Sequence, residues 1–124
     1  MKYDDANIFA RIIKGEIPCK KVYEDELVIA FHDISPSAPV HILILPKGNY
    51  CSFDDFVLNA DEKLVKHFYL KIREIAHSLG LERTGYRLIM NHGADACQTV
   101  NHYHVHLLGK KPLGALVVGD SYHG

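Results

Sequence analysis

His102-Tyr103-His104-Val105-His106-Leu107-Leu108 places three histidines at every second position and follows them with apolar residues. Alternation with a period of two is the signature of a strand, so the spacing predicts that His102, His104 and His106 share one face. Tyr103, Val105 and Leu107 then point the other way, into apolar packing. Imidazoles titrate near neutrality, need polar partners and repel one another when protonated, so three on one face suit chemistry better than core filling. A solvated, histidine-rich edge strand is the bland alternative. A metal site is a third reading, but the outer rings stand roughly 13 Å apart at their backbones, too far to converge on one ion without a bent strand. Two of these histidines together with His41 keep the metal reading open.

Working outward, His92 to Thr99 reads as a loop that delivers the chain to this stretch, and Tyr86 to Asn91 as a strand before it. Val40-His41-Ile42-Leu43-Ile44-Leu45, closed by Pro46, is a buried strand carrying one histidine. Lys21 to Tyr23 and Leu27 to His32 suit a hairpin across Glu24-Asp25-Glu26, and Asp33 to Pro39 is irregular. Asn7 caps a short helix from Ile8 to Lys14 that stops at Gly15. From Asp61 the apolar residues Leu64, Val65, Phe68, Ile72, Ile75, Ala76 and Leu79 recur with a helical period until Gly80. His67 and His77 fall on the polar side of that helix and are read as solvated, without a role. The order α-β-β-β-α-β-β predicts an α+β fold on an antiparallel sheet of about five strands, with one long and one short helix. A length of 124 residues suits a single domain over 1–124.

Composition narrows the partners. Fourteen basic side chains against fifteen acidic ones give a formal charge of −1, which provides no field to attract nucleic acid or an anionic membrane. No apolar run approaches the roughly 20 residues that span a bilayer, and no leader is evident, so a cytoplasmic protein is expected. Cys19, Cys51 and Cys97 are widely spaced and suit reduced thiols better than a disulfide framework or a zinc knuckle.

A neutral imidazole whose Nδ1–H is held by a carbonyl can present Nε2 as a nucleophile, and phosphorus is a fitting electrophile. His104, flanked by a histidine on each side, is best placed for that role. Gln98, Thr99 and loop N–H groups can meet the phosphate oxygens, so the parts suffice without a metal or cofactor.

The same stretch resembles the His-φ-His-φ-His-φ-φ signature of the histidine triad (HIT) superfamily, where φ is an apolar residue. Ile8 to Pro18, Ala30 to His41, Pro46-Lys47 and Gln98-Thr99-Val100 resemble its nucleotide-binding branch, and the likeness covers nearly the whole chain to Gly109. It implies a HIT-like fold, a homodimer whose sheets join into one, and a site for a small molecule containing a purine nucleoside monophosphate. The implied reaction has two steps, in which His104 takes the nucleotidyl group from an amine or acyl leaving group and water then releases the monophosphate, without a metal. By resemblance, Ile8, Phe9, Ile12 and Ile34 would wall the base pocket and Asp33 would accept from the ribose hydroxyls. Asn91, Gln98, Thr99, His102 and His106 would surround the phosphate and leaving group, with His41 hydrogen-bonded into the cluster.

Three positions depart from that pattern. Cys97 stands where the family usually has glycine, Asn101 where an aromatic or proline is common, and Asn49 where a histidine often follows Pro-Lys; with Val28 also no ligand, a zinc site reported in some relatives has no support. The 110–124 tail diverges, so leaving-group choice can differ; His123 is read as surface or disordered. Two other functions stay open: a nucleotide-binding or protein-interaction module with incidental hydrolysis, and a His-ligated metal enzyme that would respond to chelation.

Overall fold

Lys21–Glu24 (β1), Val28–His32 (β2), Val40–Pro46 (β3), Tyr86–Ile89 (β4) and Val105–Gly109 (β5) form one sheet in the order β1-β2-β3-β5-β4. Every neighbouring pair is antiparallel. The structure, a computed structural model, describes residues 1–120; His123 therefore lies outside the described residues. Among those residues no helix is long and apolar enough to cross a membrane.

Alternation along the strands sorts side chains onto two faces. Val28, Ala30, Ile42, Ile44, Val105 and Leu107 face the large core, beneath the helix Glu62–Ser78 (α3) and its residues Phe68, Ile72, Ile75 and Ala76. Ile29, Phe31, Leu43 and Leu45 face the opposite side, where Phe9 and Ile12 of the short helix Ile8–Ile13 (α1) close a smaller cluster. Asn7 caps α1 by accepting from the Ala10 N–H, and Asp61 caps α3 by accepting from the Leu64 N–H. Gly15 and Gly80, at φ of 80° and 72°, take the left-handed conformation just beyond the two helices.

Three features differ from the sequence expectation. A further helix, Phe53–Asn59 (α2), follows an Ser52 cap. It buries only Phe56, so it has no apolar stripe to announce it. His67 is not a solvated bystander: its Nε2 lies 2.7 Å from Asp25 Oδ2 and ties α3 to the β1–β2 turn. Asp25 also accepts from the Tyr23 hydroxyl and from the N–H groups of Leu27 and Val28. Burial works against its ionisation, but these bonds together hold the carboxyl well below the usual carboxylate range.

The third difference concerns the histidine stretch, whose ladder begins only at Val105, paired with Ile44. Continuing the register would set Tyr103 against Pro46, which has no N–H to give. The Tyr103 N–H instead donates to the Tyr50 carbonyl at 2.7 Å. Tyr103 still enters the large core as expected: its ring stacks on Phe56 at 4.9 Å, and its hydroxyl shares a hydrogen bond with that of Tyr69.

Candidate active site

Where β3 and β5 run side by side, His41 pairs with Leu108 and His106 with Leu43, so both imidazoles stand on the smaller-core face. His41 Nε2 lies 2.9 Å from His106 Nδ1, and the His106 ring centroid is 5.2 Å from that of His104. His102, fully buried, sits at the inner end of the row. The sequence-predicted histidines are therefore brought together, with His41, His102 and His104 at most 9% exposed.

Partners that can only donate or only accept settle where each proton lies. The Ser37 N–H donates to His41 Nδ1 at 3.0 Å, so the His41 proton is on Nε2 and points toward His106 Nδ1. His106 must then carry its own proton on Nε2. His104 Nδ1 is 2.7 Å from the His102 carbonyl, which can only accept, so Nδ1–H donates there and Nε2 keeps its lone pair. His102 Nε2–H donates to the Pro46 carbonyl at 2.7 Å, which leaves Nδ1 to accept from the Tyr3 hydroxyl at 2.7 Å. Of the four rings, His104 alone turns an unprotonated Nε2 away from a protein partner.

Burial lowers the basicity of all three triad rings. It is the main cause for His102, held down to about 4, and for His106, also near 4, where His104 and His41 add repulsion. His104 is lowered in the same direction by burial. Neutral rings are what a nucleophile and a ring N–H donor require at neutral pH.

Asp33 lies at the mouth of the cluster. Its Oδ1 accepts from the Ser35 N–H, and its Oδ2 is 3.5 Å from His41 Nε2. Asp33, His41 and His106 together offer three metal-ligand atoms within 4.8 Å of one another. The proton that Ser37 forces onto His41 Nε2 occupies the lone pair a cation would need, so this donor set suits hydrogen bonding better than coordination. A cleft of about 640 Å³ opens beside the cluster and shares Asp33 and His41 with it; Pro18, Cys19, Lys20, His32, Ile34, Pro36 and Pro39 complete its lining.

The remaining predicted residues divide. Phe9 and Ile12 are buried, and the Phe9 ring meets His104 edge-on at 4.9 Å, which fixes the ring plane of the central histidine. Ile8 and Ile34 are exposed, Ile34 almost entirely at 95%, one opening α1 and the other on the cleft. Gln98 uses its amide internally, donating to the Cys51 and Val100 carbonyls and accepting from the Gly93 N–H, so it staples the loop. Thr99 is exposed beside it and Asn91 half-buried beyond β4. Cys97 has φ of 61°, the left-handed region that explains why glycine suits this position. Sequence reasoning missed Tyr3, because a contact 99 residues apart leaves no local pattern. It also missed Cys19 and Lys20, whose place on the cleft depends on the β1 edge folding beside the Asp33 loop.

The HIT domain family matches residues 14–113. A 13.2 kDa HIT-like protein from Azospirillum brasilense is 47% identical over 93% of this chain and 94% of its own length. The purine nucleoside phosphoramidase of Escherichia coli K12 is 42% identical, over 91% of this chain and 94% of that one. The crystal structure of an HIT family hydrolase from Legionella pneumophila is similar with a TM-score of 0.80 and 38% identity, covering 87% of this chain and 99% of that chain.

Proposed function

The chain belongs to the HIT domain family, and from that premise we propose that it hydrolyses purine nucleoside phosphoramidates or acyl-nucleotides through a nucleotidyl-histidine on His104. The observation that carries this reading is the proton pattern: one free Nε2, on His104, beside a ring N–H donor on His106.

In the first step His104 Nε2 attacks the α-phosphorus while the bond from phosphorus to the leaving nitrogen or acyl oxygen breaks. His106 Nε2–H, held in place by the His41 Nε2–H that donates to its Nδ1, hydrogen-bonds to the leaving atom and keeps its proton; a leaving amine takes its proton from water, and an acyl group leaves as carboxylate. The hydroxide so formed, or for an acyl substrate a water that gives its proton to solvent, then joins phosphorus as the bond to His104 breaks, releasing the monophosphate. As the phosphorus bond forms, positive charge develops on His104, and its Nδ1–H bond to the His102 carbonyl strengthens with it. Asp33 suits a vicinal diol on the ribose, and the cleft it borders has the volume for a nucleoside.

A homodimer belongs to the same reading. β4 is a sheet edge, and Tyr86, Leu88 and Met90 in and just beyond it are exposed large hydrophobics. Sedimentation at low micromolar concentration is expected to give a dimer.

The test is AMP release from adenosine 5′-phosphoramidate by the wild type and by His104→Ala, each with and without chelator. Chelator-resistant turnover that the variant lacks supports the reading. Binding of AMP without turnover would replace it with a nucleotide-binding module, and loss on chelation with a metal enzyme.

A further inference from the structure

We propose that Tyr3 is a positioning residue of this site: its hydroxyl holds the buried His102 ring in place and through it the orientation of His104. The proposal rests on the hydrolase reading above for its kinetic consequence, but its structural half stands apart from any substrate.

His102 is fully buried and makes two side-chain hydrogen bonds, one from each ring nitrogen. Pro46 offers only a carbonyl, which fixes the proton on Nε2, so the opposite nitrogen needs a donor. Tyr3 supplies it at 2.7 Å, with its ring set edge-on to the imidazole at a centroid distance of 5.6 Å. Burial pushes the Tyr3 hydroxyl up, and the Asn7 side chain only partly offsets this, so the phenol stays protonated and donating throughout the neutral range. The backbone carbonyl of the same His102 accepts from His104 Nδ1. Both bonds that orient His104, one to the His102 carbonyl and one edge contact from Phe9, thus depend on neighbours held by the N-terminal segment and α1.

Tyr3→Phe removes one oxygen and keeps the ring. His102 Nδ1 is then a buried acceptor without a donor, and the ring gains by shifting toward water or another donor, which disturbs its clamp on Pro46 and the carbonyl that meets His104. Long-range proton–nitrogen spectra of ¹⁵N-labelled protein read the tautomers directly. The wild type is expected to show Nε2–H on His102 and Nδ1–H on His104, and Tyr3→Phe to keep both tautomers while the His102 Nδ1 resonance moves downfield, as for a nitrogen without a donor, and the His104 Nδ1–H proton moves upfield as its bond to the His102 carbonyl weakens. On adenosine 5′-phosphoramidate, kcat should fall about tenfold, with KM changed by less than about twofold because the cleft is untouched. A purely structural role would lower thermal stability and leave the His104 Nδ1–H resonance and kcat of folded protein as they were. A wild-type His104 Nδ1–H resonance in Tyr3→Phe overturns the proposal, as does an unchanged kcat. If the wild type fails to turn over the phosphoramidate, the hydrolase reading falls and the spectra still decide for or against Tyr3.

Discussion

The two faces of the sheet are made by the same strands and do opposite work. On the α3 face, thirteen buried apolar residues form one cluster, with Phe56, Phe68 and Tyr103 packed ring against ring. On the α1 face only six do, and the rest of the area is given to His41, His104 and His106, joined by specific hydrogen bonds. A residue on the first face has many interchangeable neighbours; each hydrogen-bonded ring nitrogen of the second face's histidines has a specific partner. Stability is therefore concentrated on one side and chemical identity on the other, although β3 and β5 contribute alternately to both.

Variants can test this division. His104→Ala is expected to lower turnover by more than about a thousandfold, measured as AMP release, with a smaller fall in melting temperature than a core variant, since the ring packs on Phe9 and His106 but belongs to neither apolar cluster. Phe68→Ala should do the reverse. Phe68 has no solvent exposure, and its loss should cost about 3–5 kcal/mol in urea unfolding while kcat per folded molecule stays unchanged.

Acid should weaken the histidine face first. His102 is held down to about 4 by burial against an ordinary 6.5, so between those values the unfolded chain binds a proton that the folded chain does not. Stability is fully present above the unfolded pKa and falls as pH drops, by about 3 kcal/mol at pH 4 for His102 alone. Urea midpoints across this range check it; a flat profile down to pH 4 would break the comparison. A smaller effect is expected at the joint between α3 and the β1–β2 turn, where His67→Ala removes the Asp25 contact and should cost about 1–2 kcal/mol. Smallest is Asn7→Ala, which uncaps α1 for about 1 kcal/mol and should slow turnover slightly through Phe9.

Much of this division is legible in the sequence. The period of two around His104 correctly sends Tyr103, Val105 and Leu107 to the large core, and the helical period after Asp61 marks α3. Asn7, Gly15, Asp61 and Gly80 mark helix limits because capping is a local interaction. What was not legible is nonlocal or weakly periodic. α2 buries one residue, His67 finds its partner 42 positions away, and Pro46 ends the β5 ladder from the neighbouring strand. The histidine cluster could be named from spacing, but the protons on its rings depend on Ser37, Pro46 and Tyr3, and only three-dimensional contact brings those atoms to them.

The left-handed Cys97 also gives an experimental opportunity. It is exposed on the loop that Gln98 staples, whereas Cys51 is buried and Cys19 half-buried, and burial raises both of their thiols. A thiol-reactive fluorophore should therefore attach at Cys97 ahead of the other two. A label there would report on the Gln98-stapled loop while substrate enters and product leaves, without a single residue being replaced.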